Sequence, residues 1–130
     1  MNESFGKEYK LCSQKLIKDL FDSGNKSYTF PFAYHYKLTN LSTSAGFQVT
    51  ISVPKRKFKH AHDRNRIKRL IREAIRKNKL ILEEPLKVNQ KQLALFLIYS
   101  HDAEIDFNSL IQKIKTLFLK LNDSLYDTKD

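Results

Sequence analysis

Residues Lys55 to Lys79 read KRKFKHAHDRNRIKRLIREAIRKNK, and no other stretch of the 130-residue chain restricts its fold as much. The segment holds 12 Lys and Arg against two acids, Asp63 and Glu73, while the other 105 residues balance at 12 against 12. The whole formal charge of +10 therefore resides here. A helix advances about 100° per residue, so with Ile67 as reference Leu70, Ile71, Ala74 and Ile75 fall within about 80° on either side. That stripe must be buried against other elements. Lys68, Arg72, Asn65, Arg76 and Arg69 span the opposite side, flanked by Arg66 and Lys77. Only Glu73 interrupts these cations, so the face is not a lattice of mutually neutralising pairs. Such a face predicts a polyanionic partner, and Lys55, Arg56 and Lys57 ahead of the helix extend the same surface. The helix begins at Asp63 or, earlier, at His60; in the second case Arg64 sits on the edge of the apolar stripe.

Composition narrows the class. With 41% hydrophobic residues, three Gly and three Pro, 130 residues form one globular domain large enough for a real core. Cys12 is the single cysteine, which excludes an internal disulfide or a cysteine metal site and fits a reducing cytoplasm. The N-terminal residues lack the apolar core of a signal peptide. The longest apolar run, Leu93 to Tyr99, is seven residues and too short to span a bilayer. Basic helices that lie on membranes expose Trp, Phe or Leu to lipid. Here the stripe is Ile, Leu and Ala, of a width suited to packing on a sheet, so no membrane partner is expected.

The remaining elements follow from periodicity. Ser13 caps a short helix, Gln14 to Phe21, which Gly24 closes in a left-handed conformation. Its apolar residues form two ridges, Leu16 with Leu20 and Ile17 with Phe21, one for the core and one for a groove. Alternation predicts strands at Phe32 to Leu38 and Phe47 to Val53, with a short edge strand at Asn25 to Phe30 before the break at Pro31. Thr39 to Ala45 reads as a hairpin loop between them. Strand Phe47 to Val53 has a small, polar face of Gln48, Thr50 and Ser52. After the basic helix, Leu80 to Gln90 carries Glu83-Glu84-Pro85 and reads as containing a turn. Leu93 to Tyr99 is apolar throughout, as a strand covered on both faces is. Phe107, Leu110, Ile111, Ile114, Leu117, Phe118 and Leu121 then mark a last helix, capped by Asp106 or Asn108. The fold class is an α/β sandwich (α+β): helix-strand-strand-strand-helix-strand-helix around one mixed sheet of about four strands. Residues 1–130 make one domain, which carries the basic helix that predicts a polyanionic partner, with 1–10 and 122–130 as flexible ends.

Independent catalysis finds little support. His60, His62 and Asp63 form the densest candidate cluster, with His35 and His101 elsewhere, but two helical residues two apart point about 200° from each other. No paired-acid motif, phosphate-cradling glycine loop or zinc spacing is present. No catalytic residue and no metal ligand is assigned.

Arg64-Asn65-Arg66 followed by Ile67-Lys68-Arg69-Leu70-Ile71-Arg72-Glu73 resembles the signature of the protein subunit of bacterial ribonuclease P. Ile51-Ser52-Val53-Pro54-Lys55-Arg56-Lys57-Phe58 also resembles that family, and a weaker likeness runs from Leu11 to Leu121. The resemblance implies a cofactor of a catalytic RNA, in an endoribonuclease that removes the 5′ leader of precursor tRNA. It implies that Arg64, Asn65, Arg66, Lys68, Arg69 and Arg72 contact the ribonuclease P RNA, with Lys55, Arg56, Lys57 and Arg76 on the same surface. Arginine suits the task because its planar fork pairs bidentately with phosphate. It further implies a leader cleft of Ile17, Phe21 and His35, which the face of Thr50 and Ser52 would extend; Ile17 stands where many members have Phe. Mg2+ is required by the ribonucleoprotein and none is assigned to the protein, and no homo-oligomer is required. A ribosomal or other structural RNA-binding protein of similar fold would use the same helix.

Overall fold

The computed structural model describes residues 5–126. The elements run α1 (Gln14–Ser23), β1 (Asn25–Thr29), β2 (Phe32–Leu38), β3 (Phe47–Ser52), α2 (Ala61–Val88), β4 (Leu93–Tyr99) and α3 (Phe107–Tyr126), preceded by a 3-10 turn at Lys7–Tyr9. This is the expected α+β order around one mixed sheet. The strand order is β1-β2-β4-β3, with β3 parallel to β4 and the other pairs antiparallel. Thr39 to Ala45 is therefore not a hairpin loop, because β4 lies between the strands it joins. The apolar run of β4 explains the insertion: a strand apolar on both faces belongs in the middle of a sheet, where both its edges are paired. The loop is held by Gln92, whose side chain accepts from the Leu41 N–H and donates to the carbonyls of Thr43 and Ala45.

The two sheet faces differ. Phe32, Tyr34 and Tyr36 of β2, Phe47 and Val49 of β3, and Leu93, Leu95, Leu97 and Tyr99 of β4 are buried beneath α2 and α3. Ile67, Ile71, Ala74 and Ile75, the expected stripe, meet them there with Leu82 and Leu86. Side chains of opposite parity face α1, which covers only part of that side, with Leu11, Leu20 and Ala94 as a small second core.

Several local expectations are corrected. Gly24 is extended, at φ −78° and ψ 169°, rather than left-handed. It is glycine for space: a Cβ there would stand 2.5 Å from the carbonyl oxygen of Leu20. Strand β1 ends at Thr29 and β3 at Ser52. His60 occupies the position before α2, and Asp63 lies in its first turn. The region Leu80 to Val88 is helical through Pro85 instead of turning. At the ends, Tyr9 is buried and Phe5, Leu125 and Tyr126 pack on the main core, so residues 5–10 and 122–126 belong to the packed domain. Residues 1–4 and 127–130 lie outside the described range. Asp106, not Asn108, caps α3, accepting from the Ser109 N–H at 3.1 Å.

Candidate nucleic-acid interface

The outer face of α2 is cationic as its spacing predicts, yet its arginines are not equivalent. Arg69 is exposed, and Lys68 and Arg72 are half-buried. These three pair with no carboxylate among the described residues. Arg72 lies over the Phe5 ring, its guanidinium carbon 5.7 Å from the centroid. Arg64 is turned inward: its Nη1 donates to the carbonyls of Phe58 at 2.8 Å and Lys59 at 2.9 Å, closing the loop that enters the helix. Arg76 is engaged through Nε and Nη2 by both oxygens of Glu73, each at 3.0 Å, which holds that carboxyl below its ordinary range. Arg66 donates to Asp63 and, across the molecule, to Glu104, partners that raise its pKa. Asn65, Lys55 and Arg56 are exposed, and Lys57 is half-buried in the turn that leaves β3. Lys79, part of the basic run, is instead buried, with its Nζ 4.9 Å from the Tyr9 ring centroid.

On the other sheet face, α1 places Phe21 over β2 and β4. Its ring lies 4.1 Å from that of His35 and 5.0 Å from that of Phe96, yet Phe21 remains 48% exposed. A ring held from below and open above can receive a stacked base. Burial, then the nearby Lys26, lowers the His35 pKa and so favours the neutral imidazole. Ile17, like Leu16 and Phe96, packs against the small core of Leu11, Leu20 and Ala94. The sheet register sets His35, Phe96 and Thr50 in one row. Thr50, however, donates its hydroxyl to the Leu11 carbonyl at 2.6 Å, and the Gln48 amide donates to the Glu8 carbonyl. Residues 8–11 thus cover much of the polar face expected to be open, leaving Ser52 half-buried at its end. The unbroken apolar run of β4 gave no sign of which residues face α1, so Phe96 was not legible from the sequence, and Phe5 and Lys10 had no signal either.

The two surfaces meet at the outer edge of β3. There Lys10, Leu11, Thr50, Ile51, Lys68 and Arg72 help line a concavity of about 210 Å3. His60 and His62, expected to diverge, have ring centroids 5.9 Å apart because His60 lies before the helix in extended conformation. Among the described residues no group of three or more His, Cys, Asp or Glu is placed to hold a metal, and no helix is long and apolar enough to cross a membrane.

An α+β domain with a cationic helix whose Lys68, Arg69 and Arg72 pair with no carboxylate among the described residues, and with an aromatic platform on the other sheet face, fits the RNA-binding class. Comparison with known proteins identifies which. The family model described as Ribonuclease P matches residues 5–122, and the chain belongs to the ribonuclease P protein family. It is 28% identical over 115 residues to the ribonuclease P protein component of Porphyromonas gingivalis, covering 88% of this chain and 84% of that one. Its fold resembles the ribonuclease P protein from Thermotoga maritima, with a TM-score of 0.68 at 19% identity over 85% of this chain and 96% of that one. It also resembles a Staphylococcus aureus RNase P protein mutant with defective mRNA degradation activity, with a TM-score of 0.67 at 20% identity over 90% of each chain. The protein is thus a component of an endoribonuclease complex of tRNA 5′ processing.

Proposed function

We propose that this chain binds the RNA subunit of ribonuclease P through the cationic face of α2 and receives the 5′ leader of precursor tRNA in the cleft beneath α1, while the RNA performs the hydrolysis. The observation that carries this reading is the cationic face itself, where Lys68, Arg69 and Arg72 remain without a carboxylate partner among the described residues. The leader assignment draws support from Phe21, which is braced by His35 and Phe96 yet half-exposed. Ile17 offers an aliphatic contact at the same site, and Thr50 a methyl group and backbone rather than its hydroxyl. Mg2+ is assigned to the ribonucleoprotein. The carboxylates beside the basic face, Asp63 and Glu104, are both engaged by Arg66, which disfavours them as metal ligands.

Precursor tRNA incubated with the protein alone, the RNA alone, and both together across a magnesium series tests the proposal. The protein alone should leave the substrate intact, and its addition should lower the magnesium that the RNA needs. A purely structural RNA-binding protein would leave the magnesium requirement where it was. Metal-dependent cleavage by the purified protein, abolished by His62→Ala, would instead make the chain a nuclease.

A further inference from the structure

Of the motif arginines, Arg66 is held by two carboxylates from different parts of the fold. A guanidinium has five N–H donors. Nε donates to Glu104 Oε1 at 3.3 Å, while Nη2 donates both to Glu104 Oε2 and, at 3.0 Å, to Asp63 Oδ1. Asp63 belongs to the preceding turn of α2, but Glu104 comes from the loop between β4 and α3, 38 residues away in sequence. Its two oxygens occupy the Nε and Nη2 edge, a fork with which arginine grips phosphate. Asp63 takes the other proton on Nη2, so the second fork is also incomplete. Two N–H groups on Nη1 remain, and the charge of Arg66 is balanced by two acids. The Arg66 and Glu104 side chains are 39% and 41% exposed, so a phosphate can reach the pair.

We propose that Glu104 is an intramolecular competitor of RNA, which occupies Arg66 in the free protein and must be displaced before a phosphate takes its place. The inference rests on the reading that the cationic face of α2 binds RNA, and it deepens that reading by naming a residue that sets its strength. Glu104 is not itself an RNA contact. When a phosphate displaces it, the counterion released from RNA is offset by one that the freed carboxylate gathers. Arg66 therefore adds almost nothing to the salt dependence of binding, unlike Lys68, Arg69 and Arg72.

The test is a titration of a fluorescently labelled bacterial ribonuclease P RNA transcript with the full chain, repeated over a salt series. Four proteins are compared: the parent, Glu104→Gln, Arg66→Ala and the double variant. Glutamine keeps the shape of the side chain and removes its charge. Glu104→Gln should tighten binding about two- to fivefold, the equivalent of an exposed ion pair. It should also steepen the slope of log affinity against log salt, by at most about 0.7 to 0.9, one additional phosphate contact, because Asp63 still holds Nη2. In the Arg66→Ala background the same substitution should change neither quantity, which distinguishes a competitor for Arg66 from a general repulsion of RNA. Weaker binding by Glu104→Gln would overturn the proposal and make Glu104 a holder that positions Arg66. An equal gain in both backgrounds would overturn it as well. Loss of the underlying reading looks different: the parent protein would then bind without salt dependence, and Arg69→Ala would have no effect.

Discussion

Glu83 is the residue whose surroundings most tightly couple distant parts of the chain. It is 3% exposed, the Tyr9 hydroxyl lies 2.9 and 2.8 Å from its two oxygens, and the Gly46 N–H donates to it at 3.0 Å. Gly46 admits this approach because a Cβ there would stand 2.9 Å from Glu83 Cγ. A buried carboxylate is tolerated only when its lone pairs are met, so Tyr9→Phe should cost about 1.5 to 3 kcal/mol in urea unfolding. The pH dependence follows from the same contacts. Burial, then the Glu83 hydrogen bond, raises the Tyr9 pKa, while burial, then Glu104, pushes Tyr99 up to about 12. An unfolded tyrosine ionises near pH 10, whereas these two stay protonated in the folded state. Their contribution is therefore complete below about pH 10 and is lost as pH rises through the folded values. Urea midpoints should fall between about pH 10 and 12, and less so in Tyr9→Phe. A Tyr9→Phe protein with unchanged stability and the same alkaline profile would show that the hydroxyl contributes nothing. None of this was legible in the sequence: Tyr9 reads as part of a polar tail, and its partner is 74 residues away.

At the scale of elements, the length of α2 turns on how it accommodates Pro85. Proline has no N–H for the carbonyl four residues earlier, here that of Ile81, and its ring crowds that oxygen. Asn122 of α3 supplies the missing donor, its Nδ2 lying 3.0 Å from the Ile81 oxygen. Asn78 ties the same two helices one turn or so earlier, donating to the carbonyls of Ala74 and Ile111. Asn122→Ala should thus cost about 1 to 3 kcal/mol by orphaning a partly buried carbonyl. Pro85→Ala restores an N–H in register, so in that background the cost should largely vanish. Additive losses in a denaturant double-mutant cycle would mean that Asn122 does not substitute for the proline N–H. This explains which elements could be read from the chain and which could not. Ile67, Ile71, Ala74 and Ile75 repeat at helical spacing and Phe32, Tyr34 and Tyr36 at strand spacing, so local pattern suffices for them. Pro85 reads locally as a break, because its compensation lies on another helix. The place of β4 between β2 and β3 is likewise set by pairing of distant segments, although its unbroken apolar run marked it as central. The same limit applies to the interface: spacing located the cationic face, but not Glu104, whose effect on Arg66 depends on a tertiary contact.

For the molecule as a whole, α2 and α1 lie on opposite faces of the sheet, and at the outer edge of β3 the side chains of Lys68 and Arg72 share a concavity with Lys10, Leu11 and Thr50. The two surfaces proposed to face RNA share no side chain and so should act independently. In that proposal Phe21 serves one and Arg69 the other. Because Phe21 is 48% exposed, Phe21→Ala should cost about 0.5 to 1.5 kcal/mol of stability for its ring contacts, below the 3 to 5 kcal/mol of a core phenylalanine. Assembled with the RNA subunit, that variant should weaken binding of leader-bearing precursor tRNA by about 1 to 3 kcal/mol and leave mature tRNA unaffected. Arg69→Ala should do the reverse: it should lower affinity for the RNA subunit and reduce the magnitude of the salt slope by about 0.7 to 0.9, with no discrimination between the two tRNAs once assembly is complete. The double variant should show the sum of the two effects, since sites without shared partners are additive. Equal weakening of precursor and mature tRNA by Phe21→Ala, or a variant that no longer folds, would return Phe21 to a structural role. A coupled double variant would place both residues on one continuous RNA path around the β3 edge, where Lys10, Lys68 and Arg72 already converge.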